Sequence, residues 1–106
     1  MAKYLMQASF TSEGLKGLQK DKASGRRDAI AKALESVGGR LEAFYFTLGE
    51  YDDVLIIEAP NLESIAAFCV QVNASGVLRT RTTALLSVEE ADRALAKTVA
   101  YRGPGQ

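Results

Sequence analysis

The chain has 106 residues, 47% of them apolar, with 13 Lys and Arg against 13 Asp and Glu, one Cys and no His. This length predicts one globular domain, and the absence of His excludes imidazole metal sites, a His general base and every Ser-His-Asp or Cys-His nucleophile. The balanced charge lacks the basic excess of a nucleic-acid binder, and the chain has neither a targeting segment nor a membrane-length apolar run, so we expect a cytoplasmic protein without nucleic-acid or membrane partners.

The first third of the chain predicts a strand followed by a broken helix. Residues 3–10 alternate between two faces, which is the period of a strand. Residues 13–20 form a short or irregular helix because two glycines weaken it, and Ser24-Gly25 predicts a break and restart. The amphipathic stretch 26–37 then predicts a helix that ends at Gly38-Gly39.

The middle of the chain predicts a hairpin and a second helix. Residues 41–48 are rich in aromatic side chains and residues 54–57 are aliphatic, so two strands flank the turn at 49–52. Asn61 is the expected N-cap of a helix with a continuous apolar stripe, which ends near residues 73–76.

The last third predicts a fourth strand and a third helix. Residues 77–86 alternate again. Ser87 and Glu90 have the spacing of a capping box, in which each side chain accepts a hydrogen bond from the other residue's backbone. We therefore expect a last helix that begins there and ends at about Lys97.

This order of elements predicts an α+β fold of the ferredoxin-like βαββαβ type with an extra C-terminal helix. The four-stranded antiparallel sheet would carry its helices on one face, with the first and third strands in the centre. We expect a single domain over residues 1–98. A C-terminal tail over residues 99–106, in which Gly and Pro cluster, would follow it.

Several segments together resemble the bacterial GYD-domain family, which is named for a hairpin that reads Gly49-Glu50-Tyr51-Asp52 here. The other matching segments are residues 4–10, 24–27, 38–39 with 41–46, and 72–76. The resemblance covers nearly the whole chain. It implies a fold of the dimeric α/β-barrel superfamily, whose subunits pair sheet to sheet and which includes cofactor-free oxygenases, isomerases and haem proteins. Because the family has no established reaction, the resemblance implies an oligomer and leaves the activity open.

Two cations at the start of the second helical stretch are the first candidate ligand-binding residues. Arg26 and Arg27 oppose the helix dipole, whose positive end favours anions. A helix N-terminus with Gly25 beside these two cations suits a carboxylate or a phosphate. The alternative is that Asp21, Asp28 or an acid of a partner subunit pairs with the arginines.

Tyr51 and Asp52 in the hairpin turn are the second pair of candidates. A phenol and a carboxylate form a proton-transfer pair if a pocket desolvates them, and without His such work falls to Asp, Glu, Tyr or Lys. In the alternative interpretation, Asp52 binds turn amides, Tyr51 packs across the hairpin and Gly49 supplies a positive φ.

A third set of residues predicts an interface between copies of the chain. We assign to one open sheet face Leu5, Gln7, Tyr45, Leu55, Ile57, Arg79 and Arg81. An apolar patch of this kind favours self-association, and a dimer is the expected form. The opposite face meets the helices, and the gap between them is a second place for a small apolar molecule.

These observations favour a homo-oligomeric module that binds a small anionic ligand through Arg26, Arg27, Tyr51 and Asp52, or that serves assembly alone. The rival is a cofactor-independent oxygenase or isomerase that acts on a small aromatic or keto compound, with Tyr51 and Asp52 as candidate catalytic residues. We expect no cofactor and no metal. Cys69 lies on an apolar stripe and is expected to be a small buried side chain.

Overall fold

Four antiparallel strands form one sheet in the computed structural model, which describes residues 1–106. The strands are β1 (Ala2–Phe10), β2 (Arg40–Phe46), β3 (Asp53–Ala59) and β4 (Leu78–Leu85), in the spatial order β2-β3-β1-β4. The helices are α1 (Ser12–Glu35), α2 (Leu62–Ala74) and α3 (Val88–Leu95). The predicted ferredoxin-like order with its extra C-terminal helix is confirmed, and β1 and β3 lie in the centre as expected.

Side-chain caps start all three helices. Asn61 is the N-cap of α2, where its side chain accepts from the Ser64 N–H, and Ser87 is the N-cap of α3 in a complete capping box. Thr11, from the predicted cluster of hydroxyl caps, starts α1 by accepting from the Gly14 N–H. Each cap satisfies a backbone donor that the first helical turn leaves free, so these polar residues fix where the helices begin.

Helix α1 has a kink at Lys22, three residues from Gly25, where the sequence predicts a break. Lys22 has φ 68° and ψ 166°, a backbone conformation that glycine adopts and other residues avoid at a cost of about 1–3 kcal/mol. The segment after the kink carries Ile30 and Leu34, which are buried against the sheet. The kink therefore separates an exposed first segment from a second segment that packs on the core.

The core lies between the sheet and the helices α1 and α2. It consists of Tyr4, Met6, Ile30, Leu34, Leu55, Ile57, Ala59, Ile65 and Phe68. The assignment of Leu55 and Ile57 to the open face is wrong, since they are only 3% and 0% exposed. Leu55 pairs with Met6 and Ile57 with Tyr4, and directly paired residues share a face of the sheet.

The opposite side of the sheet is covered by no helix, and we call it the open face. The pairing register assigns to it Leu5, Gln7, Ser9, Tyr45, Val54, Ile56, Arg79, Arg81 and Thr83. All five predicted interface residues, Leu5, Gln7, Tyr45, Arg79 and Arg81, are in this set. Val54 and Ile56 take the places that were assigned to Leu55 and Ile57.

Two substitutions in α1 test the backbone strain at Lys22 and the low helix propensity of Gly25. Lys22→Gly is expected to raise the free energy of unfolding by about 1 kcal/mol, because relief of backbone strain exceeds the entropy that glycine adds to the unfolded chain. Gly25→Ala is expected to raise it by about 0.5–1 kcal/mol, since a methyl group there meets only Asp21 Cβ at 3.5 Å. Urea unfolding measures both effects. Lys20→Gly, inside the first helical segment, is the control and should lose about 1 kcal/mol; an equal loss for Lys22→Gly would contradict the strain.

Candidate functional site

Arg26 extends from the second segment of α1 into the space between the helix and the sheet. Its guanidinium carbon lies 5.8 Å from the centroid of the Phe10 ring, within the range of a cation–π contact. The side chain is half-buried, and its Nε is buried without a hydrogen-bond partner. No carboxylate lies within 4.0 Å of the guanidinium, so this cation forms no direct ion pair in the protein, and Asp53 and Asp21 act on its charge only from a greater distance.

Asp53, the first residue of β3, faces the same space from the sheet. It is 2% exposed, and its Oδ1 is buried without a hydrogen-bond partner. Burial raises the pKa of Asp53 to about 6, and the charge of Asp52 adds to the shift while Arg26 opposes it. The carboxyl of Asp53 therefore changes its protonation state near neutral pH.

A small cavity lies between these two side chains, among apolar residues such as Met6, Phe44 and Phe68. Its volume of about 10 Å³ is close to the space that one water molecule needs. Both unpartnered atoms, Arg26 Nε and Asp53 Oδ1, belong to residues that line it. Buried polar atoms in proteins nearly always have partners, so this cavity is the position where a polar guest would satisfy two of them.

A larger groove lies between the first segment of α1 and the end of the sheet, and Arg26 lines both this groove and the cavity. It has a volume of about 350 Å³ and apolar walls that include Phe10, Leu18 and Val77. Glu13 and Asp21 add negative charge at its edge. Arg26 thus lies between an inner cavity and a groove. The volume of this groove is at the lower end of the range of about 300–1,000 Å³ that is typical of small-molecule pockets.

Asp52 is engaged in hydrogen bonds that hold the hairpin to β1. Its Oδ2 accepts from the Phe10 N–H at 2.7 Å, and its own N–H donates to the Ala8 carbonyl at 2.7 Å. Its carbonyl accepts from the Thr47 N–H at 2.9 Å. This geometry favours the structural interpretation of Asp52.

Tyr51 and Arg27 lie apart from the cavity. The Tyr51 hydroxyl accepts from Arg81 Nη1 at 3.4 Å, beside a hollow of about 180 Å³ that Gln7 and Val54 of the open face also line. Arg27 is exposed and pairs with Asp28 at 3.3 Å. Of the four predicted ligand residues, only Arg26 reaches the cavity, and a role in ligand binding for Tyr51, Asp52 and Arg27 stays a prediction.

Asp53 is the site residue that sequence reasoning missed. The sequence carries no signal for it, because residues 54–57 are all aliphatic; only the structure shows the alternation of β3, in which Asp53, Leu55, Ile57 and Ala59 are buried and the residues between them are not. An acidic residue in phase with buried aliphatic residues is a candidate for a functional carboxyl, because burial of an unpaired charge costs several kcal/mol.

Metal-binding and membrane-spanning features are absent from the structure. No group of three or more Cys, Asp and Glu side chains is placed to hold a metal ion. No helix has the length and apolarity needed to cross a bilayer. Cys69 is half-buried, with its Sγ 3.3 Å from the Thr82 hydroxyl.

The sheet order, the helix placement and the GYD hairpin define an α+β protein of the ferredoxin-like class. The family model described as GYD domain matches residues 4–95, so the chain belongs to the GYD domain family. No curated protein matches the sequence.

Two solved structures resemble this fold. The chain is similar to MtbAldR, with a TM-score of 0.56 and 18% identity over 81% of this chain and 53% of that chain. It is similar to FFRP-DM1, with a TM-score of 0.52 and 17% identity over 81% of this chain and 100% of that chain. The chain therefore spans about half the length of MtbAldR, and identities this low show the fold alone.

The buried carboxyl predicts a pH dependence of stability. The pKa of Asp53 in the folded protein, about 6, exceeds its ordinary value of 3.8, so the folded state binds more protons between these pH values. Its contribution is therefore greatest below about pH 4 and is lost as pH rises through 6, by up to about 3 kcal/mol. Asp53→Asn should remove this loss and be more stable than the wild type at pH 8, as measured by urea unfolding at pH 4.5, 6 and 8.

Asp52→Asn is the matched control for this experiment, because its amide oxygen still accepts from the Phe10 N–H. It should still lose stability as the pH rises through about 6, with a somewhat smaller loss than the wild type because the Asp52 charge no longer raises the pKa of Asp53. An Asp53→Asn protein whose stability changes with pH as the wild type does would show that Asp53 is not the titrating group.

Proposed function

We propose that this protein binds a small anionic molecule between α1 and the sheet. The observation that carries the proposal is the pair of buried polar atoms without partners, Arg26 Nε and Asp53 Oδ1, at one cavity. Arg26 supplies the charge that an anion needs. Asp53 supplies a carboxyl that can carry a proton near neutral pH and then donate it in a hydrogen bond to the anion.

The surroundings of Arg26 favour a monoanion with an apolar body. The cavity accepts only a group of about the size of one water molecule, so the rest of a ligand would occupy the groove beside Phe10, Leu18 and Val77. Glu13 and Asp21 at the groove would repel a polyanion such as a phosphate more strongly than a single carboxylate. An aromatic or branched aliphatic carboxylate is the ligand class that fits these charges and walls.

Benzoate is a suitable probe for this class. At ten times its dissociation constant it should raise the free energy of unfolding by about 1.4 kcal/mol, seen as a higher Tm, whereas neutral benzamide should not. Binding should tighten as the pH falls from 7.5 to 5.5, because protonation of Asp53 removes a repulsive charge and adds a donor. Calorimetric titration at both pH values provides the affinities.

Arg26→Gln should weaken benzoate binding at least tenfold, since charged hydrogen bonds contribute about 1.5–3 kcal/mol. Arg27→Gln is the matched control, because the adjacent Arg27 is exposed and lies outside the cavity. Equal affinities for these two variants, or equal affinities of the wild type for benzoate and benzamide, would overturn the proposal.

A second candidate function is proton transfer by a cofactor-independent enzyme, and the position of Asp53 favours it. A carboxyl with a pKa of about 6, set in an apolar cavity near a guanidinium, suits a general base. Such a base would take the proton from a carbon beside a carbonyl, while Arg26 stabilises the enolate oxygen that forms. The same two residues would thus act on a small keto compound.

Hydrogen exchange distinguishes catalysis from binding alone. Pyruvate in D2O should exchange its methyl protons faster with the wild-type protein than with buffer, by proton NMR, if Asp53 acts as a base. Asp53→Asn should abolish the acceleration and Asp52→Asn should keep it. If the protein binds benzoate but does not accelerate the exchange of the pyruvate protons, the proposal of an enzyme is rejected and ligand binding remains the proposed function.

A further inference from the structure

The C-terminal arm, residues 86–101, is the part of the chain that packs least on the rest of the molecule. None of the α3 residues is buried, and Val88 and Leu95 are 75% and 82% exposed. Val88, Ala91 and Leu95 follow the spacing of one helix face, so α3 presents an apolar stripe to solvent. Leu86, Val99 and Tyr101 extend the exposed apolar surface at both ends of the helix.

The molecule as a whole is elongated. The Cα radius of gyration is 16.9 Å and the longest dimension is 56 Å. A compact domain of about 100 residues has a radius of gyration of about 13 Å. An amphipathic helix that extends from its domain lacks the tertiary packing from which short helices gain most of their stability.

The open face is a second surface without a partner. Leu5, Val54 and Ile56 place aliphatic side chains at its centre, and Tyr45 is 67% exposed beside them. Neither Arg79 nor Arg81 has a carboxylate within 4.0 Å. This surface is apolar in the middle and positively charged along β4.

The charges of the arm complement those of the open face. Glu89 and Asp92 on α3 have no cation within 4.0 Å, while Glu90 is occupied in the capping box. The arm thus carries carboxylates without a cation partner beside an apolar stripe, and the open face carries guanidinium groups without a carboxylate partner beside an apolar centre.

We propose that the C-terminal arm of one copy of this chain packs on the open face of a second copy, and that the arm of the second copy packs on the open face of the first. The Val88, Ala91 and Leu95 stripe covers the aliphatic centre, and Glu89 and Asp92 lie toward Arg79 and Arg81. One twofold axis satisfies both contacts, because each copy has one arm and one open face.

Sedimentation velocity on the full chain at micromolar concentration tests the proposal. The wild type should be a dimer, and Leu95→Glu should weaken the dimer at least tenfold because it places a charge in the apolar contact. Val70→Glu is the matched control, since Val70 is 69% exposed on α2, on the other side of the sheet, and this variant should remain dimeric. Circular dichroism checks that both variants are folded.

A charge exchange tests the pairing itself. One protein carries Arg79→Glu with Arg81→Glu, and the other carries Glu89→Arg with Asp92→Arg. Each alone should be monomeric because like charges face each other, and an equimolar mixture should form a heterodimer in which every pair is again opposite.

The outcomes of these experiments are separate from those of the benzoate titration, which depends on Arg26 and not on the arm. A wild-type monomer would overturn the proposal. A dimer that is weakened by the Arg79 and Arg81 changes but not by Leu95→Glu or the arm charge changes would also overturn it, because sheets would then pair without the arm. A mixture that stays monomeric would reject the pairing of these charges.

Discussion

The register of β1 between β3 and β4 is the constraint on which the other features of the structure depend. β1 is hydrogen-bonded along both edges, and Met6 stands opposite Leu55 on one side and Thr82 on the other. A shift of one residue would turn every side chain of a strand to the opposite face of the sheet. The register therefore determines which side chains form the core, why Asp53 points inward, and why Leu5, Val54 and Ile56 remain on the open face.

Arg26 and Asp53 are charged residues beside a core that is otherwise apolar. Most buried positions are aliphatic or aromatic, and replacement of buried charges by well-packed apolar residues is often neutral or stabilising in proteins. These two side chains form no ion pair within 4.0 Å, and their mutual attraction offsets only part of their desolvation. Stability alone gives no reason for the pair, and positions where local rules fail are the ones where function is expected.

The sequence predicts the order of elements and the caps because these depend on local chemistry. Asn61 and Ser87 can be recognised as helix caps from their own side chains and the residues that follow them. The alternation of β1 can be seen in the sequence without knowledge of the neighbouring strands. The sequence does not show which side chains of β3 point to the core, since residues 54–57 are all aliphatic and do not alternate with polar residues. Only the pairing of β3 with Tyr4 and Met6 of β1 determines this orientation. For the same reason, the sequence did not indicate that the carboxyl of Asp53 is buried. The break in α1 was predicted at Ser24-Gly25 but lies at Lys22, because a lysine gives no local signal for a glycine-like backbone.

The hairpin after which the family is named contributes to the site through backbone geometry rather than through its own side chains. Asp52 binds the Phe10 N–H and the Ala8 carbonyl, and so fixes the end of β1. Phe10 then presents its ring to Arg26 at 5.8 Å, and the residue after Asp52 is Asp53, which enters the cavity. The two adjacent carboxylates therefore have different roles. Asp52 is hydrogen-bonded to β1 and supports the sheet, while Asp53 is desolvated and lines the cavity with Arg26. Asp52 precedes the strand and Asp53 is its first residue, and the pairing of Asp53 with the buried Ala8 turns this carboxyl to the core side of the sheet.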